Sequence, residues 1–424
     1  MPQGTLTSTT DLAGVKIFGA GFDSGSVARL DGTPFASSTL GNFTLVSSRE
    51  IDVTIPKAFL AAPHRYAADV INGSSVQSNA TDFFVIKSVD MTTACTTAKP
   101  QPSSVAIADQ LPGQAFSPIA VVSNSGCNNI SVIDINPQSA TFGSIKSSIP
   151  TGSDPLGVAV SPRFGVAVVA NNKDGTASVL DLLTGTQKVP AVTVGSSPTG
   201  VAIDDGTGAT LVANTGDNTV SELNLALLTG SSPATSLTAL AIAIDTSPIA
   251  VAIDPDRGTN NNGLAVVTAL QLVSGSAPVG VLDAIDLGGQ TPVKSTTAAV
   301  GTVTSTPTGV VFNPTVSPTL FYATSSGGNV VTTFNPDTGA STSVHVGINP
   351  TSLAINPQTG GIVTVNSASQ TISIIDTLSN PFKTRSTFGL GGSPQFGVAI
   401  DQFTNLAVLA DQANNRVLIF PVPN

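Results

Sequence analysis

At 424 residues the chain has room for two or three domains, or for one large all-β domain with a smaller companion. An apolar content of 41% with only 10% charged residues argues against disorder. A net charge of −10, without any Lys/Arg cluster, argues against a nucleic-acid partner, whose phosphates such a surface repels.

Abundant Val and Thr favour pleated surfaces, and 40 Gly with 29 Pro supply turns. Ser221–Leu228 is the best of the few stretches with a helical period, and it is short. The most apolar run, Leu237–Ile253, carries Asp245 and Pro248 and is too short to span a bilayer, so no membrane insertion is expected. The chain opens Met-Pro-Gln-Gly-Thr, with neither a basic segment nor an apolar core. A leader is therefore expected to have been removed or to lie upstream.

Residues 1–88 read as short strands with a turn signal every ~8–12 residues, the pattern of an immunoglobulin-like sandwich. Val15-Lys16-Ile17-Phe18 runs into Gly19-Ala20-Gly21-Phe22, a strand ends at Leu30-Asp31-Gly32-Thr33, and Glu50–Pro56 reads Glu-Ile-Asp-Val-Thr-Ile-Pro. This segment resembles an IPT/TIG domain, an immunoglobulin-like module of surface and secreted proteins. The resemblance implies a strand before Val15. Only about a dozen residues are there, so that strand is expected to be missing or supplied by another chain. Residues 89–101, polar and Thr-rich, read as a linker.

From residue 102 to 424 one pattern repeats seven times. Pro198-Thr-Gly-Val-Ala-Ile-Asp204 has counterparts opening at Pro102, Pro155, Pro248, Pro307, Pro350 and Pro394, at intervals of 53, 43, 50, 59, 43 and 44 residues. Each Val-Ala-Ile strand meets an Asp or Asn turn such as Asn313-Pro314 or Asp254-Pro255. A second apolar strand follows, usually ending on Asn or Asp, then an alternating third strand and a weaker fourth. Four short antiparallel strands, seven times over, predict a seven-bladed β-propeller in which burial falls from hub to rim. The fold class expected is all-β, a sandwich followed by a propeller. The repeat, Pro-x-Gly-Val-Ala-Ile with Val-x-Asn and Ser-Val-Ile-Asp, resembles YVTN-type propellers near the NHL group. That scaffold carries many roles.

The last repeat has no fourth strand before Asn424, and residues 91–97 are expected to supply it by pairing with Arg416–Phe420. Cys95 would then stand near Cys127, and a disulfide between them is expected. Two cysteines fit either a reduced cytosolic chain or an exported one with a single bridge; the low charge and Ser/Thr-rich surface favour export to the periplasm, cell surface or medium.

His64 and His345 are the only histidines and read as surface or structural residues. No nucleophile elbow, phosphate loop or dinucleotide fingerprint is present. The one oxygen-rich loop holds Asp254, Asp256 and Asn260, which could ligate calcium, but it stands where every repeat places its first turn and lacks a bidentate Glu. No other cofactor is expected. The function expected is non-catalytic binding or scaffolding, with the propeller face on a protein or glycan. The alternatives are a lactonase- or lyase-type enzyme at the channel mouth, recognised by three or more carboxylate, Asn or His side chains converging there, or self-assembly with a donated sandwich strand.

Overall fold

The computed structural model describes residues 4–95, 99–256, 263–272, 277–287, 293–299, 306–317, 319–378, 383–389 and 397–423. The chain divides into two compact units, Met1–Ser88 with Leu418–Pro423, and Val89–Val417.

The first unit is an immunoglobulin-like sandwich. Its strands are β1 (Gly4–Leu6), β2 (Leu12–Phe18), β3 (Val27–Leu30), β4 (Thr33–Ser37), β5 (Phe43–Ser47), β6 (Glu50–Ile55), β7 (His64–Ile71) and β8 (Thr81–Asp90). One sheet runs β2-β6-β5, and the other runs β8-β7-β3-β4 with β1 beside β8. Alternation puts Val15 and Ile17 of β2, Ile51, Val53 and Ile55 of β6, and Phe83 and Val85 of β8 into one core. The expectation that the strand before Val15 is missing is corrected. Three residues suffice for a parallel pair, with Gly4, Thr5 and Leu6 against Phe84, Val85 and Ile86. Glycine lets β1 in, since a Cβ at Gly4 would stand 3.2 Å from the Phe84 carbonyl oxygen.

The second unit carries a seven-bladed β-propeller. The inner strands are Pro102–Ala108, Pro155–Ser161, Pro198–Ile203, Val251–Asp254, Pro307–Asn313, Pro350–Ile355 and Val398–Ile400. They stand side by side in chain order, and the seventh lies against the first, so the ring closes. Blade 1 shows the antiparallel register, Val121 pairing Ala106 on one side and Val132 on the other. Burial does not simply fall outward, as expected from sequence. In blade 2 all of Val166–Asn171, the second strand, is buried, whereas Pro155–Ser161 is partly exposed because it borders the channel.

Two sequence habits gain a cause. The Asn that ends the second strand is wholly buried and clamps the third: Asn214 Nδ2 donates to Thr219 and Ser221 hydroxyls at 3.0 Å, and Asn171 and Asn366 do the same in their blades. The Gly of Pro-x-Gly permits close approach of neighbouring blades. A Cβ at Gly157 would overlap the Thr199 carbonyl oxygen, and one at Gly200 would stand 2.5 Å from that of Ile249.

The expected latch is corrected in detail. Asp90 accepts the Thr92 N–H at 2.9 Å, which ends the extended strand and starts a 3₁₀ turn at Thr92–Ala94. The strand beside the last one, Arg416–Pro421, is β8 rather than residues 91–97. Within the propeller unit, the segment after Asp90 is a strap between the first and last blades. Met91 N–H donates to the Asn415 carbonyl at 3.0 Å, while Asn129 Nδ2 donates to that of Ala94 at 2.9 Å and Gly126 N–H to that of Pro100 at 2.9 Å. Cys95 and Cys127 are joined as a disulfide, their Cα atoms 5.9 Å apart.

Candidate functional site

Because strands alternate in direction, the turns after the first and third strands of every blade fall on one face of the ring, and those after the second and fourth on the other. On the first face the channel opens into a cavity of about 510 Å³, walled by aliphatic side chains of the inner strands such as Ala202, Ile253, Val311 and Leu353. Among the described residues, its polar lining side chains are Asp109, Asp205 and Gln402. The opposite mouth is narrower, about 180 Å³, and is lined by Gly157, Gly200, Gly309 and the small hydroxyl residues Ser104, Thr308 and Ser352.

The lip of the wide mouth is wired between blades. Gln402 Nε2 of blade 7 donates to Asp109 Oδ2 of blade 1 at 2.6 Å, and Gln358 Nε2 of blade 6 donates to Gln402 Oε1 at 3.3 Å. Asp205 Oδ1 accepts the Ser161 hydroxyl of blade 2 and the Arg163 N–H at 3.1 Å. The Arg163 guanidinium donates to the Gly206 carbonyl and lies 5.3 Å over the Phe164 ring. Behind Asp109 stands Asp401, wholly buried. Its Oδ1 accepts Phe403 and Thr404 N–H groups at 2.9 and 2.7 Å, while Oδ2 has no hydrogen-bond partner. Burial, first, raises the Asp109 carboxyl above the ordinary carboxylate range; Gln402 opposes this, and the neighbouring Asp401 carboxyl adds to it.

The same face carries most of the exposed apolar bulk of the propeller. Among the described residues, Phe116, Leu183, Leu227, Leu378 and Phe403 lie in the turns of this face, against Leu272 and Ile348 on the other. Phe116 of blade 1 and Phe403 of blade 7 form an edge-to-face pair, centroids 5.7 Å apart.

Asp254 ends the inner strand of blade 4, buried, and its Oδ1 accepts the Asp256 N–H at 3.3 Å. Asp204, Asn313, Asn356 and Asp401 cap the same turn in their blades, so Asp254 does what its counterparts do. Asp256 is exposed, and Asn260 lies outside the described residues. His64 pairs with Asp31 at 3.0 Å and lies against the Tyr66 ring at a tilt of 55°, whereas His345 ends the outer strand of blade 5. No group of three or more His, Cys, Asp or Glu side chains is placed to hold a metal among the described residues.

The lip residues were missed in the sequence, although a signal was there. Aligned on the repeat, the residue after each capping position is Pro162, Pro255, Pro314 and Pro357 in four blades, and Asp109, Asp205 and Gln402 in the other three. The three departures from proline are the three polar side chains of the wide mouth.

No family model matches the chain, and no curated protein matches it. A structure of hydrazine synthase from Kuenenia stuttgartiensis is similar in fold, with a TM-score of 0.61 at 16% identity, covering 77% of this chain and 97% of that one. At that identity the likeness speaks for the fold alone.

Proposed function

We propose that this chain is a non-catalytic binding or scaffolding protein whose wide-mouth propeller face docks a protein partner. The observation that carries the reading is the placement of five exposed large apolar side chains, including the Phe116–Phe403 pair, on the face that also holds the 510 Å³ cavity. An exposed aromatic pair beside an apolar cavity with a polar lip has the make-up of a docking surface. The lactonase-type alternative calls for three or more carboxylate, Asn or His side chains at one mouth, and the described lining offers Asp109 and Asp205. The Cys95–Cys127 bridge supports an exported chain. The finer assignments, a YVTN/NHL-type ring and an IPT/TIG module, belong to this same proposal and rest on the repeat and on the Val15–Phe22 and Glu50–Pro56 motifs.

The test is capture from the extracellular fraction of the source organism by three immobilised proteins: the wild type, Phe116→Asp/Phe403→Asp, and Leu272→Asp/Ile348→Asp on the opposite face. The reading predicts one partner retained by the wild type and the opposite-face variant and lost by the first. Equal capture by all three contradicts it.

A second reading, self-association by strand addition, is favoured by one feature of the sandwich. The sheet β2-β6-β5 ends at β2, and a groove of about 580 Å³ lies between that strand, with Leu12, Val15 and Phe18, and Gly4 and Thr5 of β1. Sedimentation that stays monomeric across a hundredfold concentration range rules it out.

A further inference from the structure

The docking reading leaves open what enters the cavity, and the lip answers it; this inference therefore rests on that reading. We propose that the wide mouth is a receptor for a protonated lysine side chain of the partner, the alkyl stem lying against the apolar walls and the ammonium meeting the carboxylate of Asp109.

The walls supply the first argument. Six of the seven inner strands present aliphatic side chains to a cavity of about 510 Å³, a size ordinary for a ligand site. An occupant must cover those walls with carbon, and a lysine stem does so while carrying its charge at the tip.

Charge supplies the second. Asp109 and Asp205 stand at the lip, and among the described residues no Lys, Arg or His lines this cavity. Arg163, which follows the lip residue Pro162, is engaged with the Gly206 carbonyl and the Phe164 ring. Asp401, buried behind Asp109, adds a carboxylate whose Oδ2 has no hydrogen-bond partner. Two neighbouring carboxylates, one of them wholly buried, repel each other, and their complement is a cation or a proton.

The third argument separates lysine from arginine. The ammonium presents its donors at one point, which the Asp109 carboxylate and the Gln402 amide oxygen beside it can share at the lip. A guanidinium would carry five donors in a rigid plane, several of them facing aliphatic walls without an acceptor. Burial and Asp401 raise the proton affinity of Asp109, so a proton competes with the ammonium, and binding should strengthen as pH rises through the titration of Asp109.

The experiment titrates the full chain with n-pentylammonium, n-pentanol and n-pentanoate by calorimetry or by chemical-shift perturbation. We expect the ammonium to bind at least tenfold more tightly than the alcohol, and pentanoate not to bind. Asp109→Asn should weaken the ammonium at least fivefold and leave the alcohol unchanged, and Asp205→Asn should weaken it less. The wild-type pH profile gives the same answer should Asp109→Asn fail to fold. Ammonium and alcohol binding equally, an affinity flat with pH, or no binding at millimolar ammonium each overturns the proposal. Partner capture that still depends on Phe116 and Phe403 while pentylammonium neither binds nor competes sinks this inference alone. Ammonium binding with capture indifferent to those residues sinks the docking reading instead.

Discussion

One mouth of the channel is closed down by Gly157, Gly200 and Gly309, the other held open by Ala202, Ile253 and Val311, although the same strands build both. At the narrow end, backbones meet backbones. Hydroxyls stitch one blade to the next there, Thr199 to the Ile249 carbonyl at 2.9 Å and Ser103 to that of Pro155 at 2.9 Å. At the wide end, side chains meet a cavity, and the lip varies from blade to blade. Packing keeps the residues small at the first mouth, while the second is free to take on chemistry.

The sharpest way to break that contrast is to enlarge one residue at each mouth. Gly200→Val should cost about 3 kcal/mol or more, since its Cβ would press on the Ile249 carbonyl oxygen, whereas Ala202→Val, facing the cavity, should cost less than about 1 kcal/mol. Urea unfolding measures both, and equal losses would mean that the two ends are packed alike. Next in size is the strap. Reducing the Cys95–Cys127 bridge, or replacing both residues by Ser, should remove about 3 kcal/mol, read as a lower midpoint with an unchanged spectrum. No change would mean that the strap's hydrogen bonds close the ring without it. The smallest effect belongs to Asp109. Its folded-state pKa is raised, so its contribution to stability is fully present below the unfolded value and is lost as pH rises through the folded one. Asp109→Asn should therefore flatten the pH dependence of Tm in the weakly acidic range and leave the neutral Tm equal or slightly higher. A variant whose pH profile overlays the wild type would show that the carboxyl carries no such penalty.

Much of the ring could be read from the chain because each blade solves the same problem. Pro-x-Gly-Val-Ala-Ile marks an inner strand wherever a backbone must pass close to its neighbour, and Asn214 or Asn366 marks the end of a second strand because its amide clamps the third. Ser221–Leu228 misled by its helical spacing. Thr219–Asn224 is a strand, and only Leu225–Leu228 turns, started by Asn224 accepting the Ala226 N–H. The site was less visible. Asp109 and Gln402 are 293 residues apart and meet only because the ring closes, and the orphaned oxygen of Asp401 follows from its burial, which no local pattern reveals. The strap was legible as a segment but not as a shape, since the Asp90 cap that bends it looks like any other turn residue.

The most direct test of the account is hydrogen–deuterium exchange on the chain with and without its captured partner. The account predicts new protection at the wide-mouth turns 109–118, 162–165 and 401–405, with the narrow-face turns 125–128, 172–175 and 215–218 unchanged. Protection confined to the narrow-face turns would contradict it.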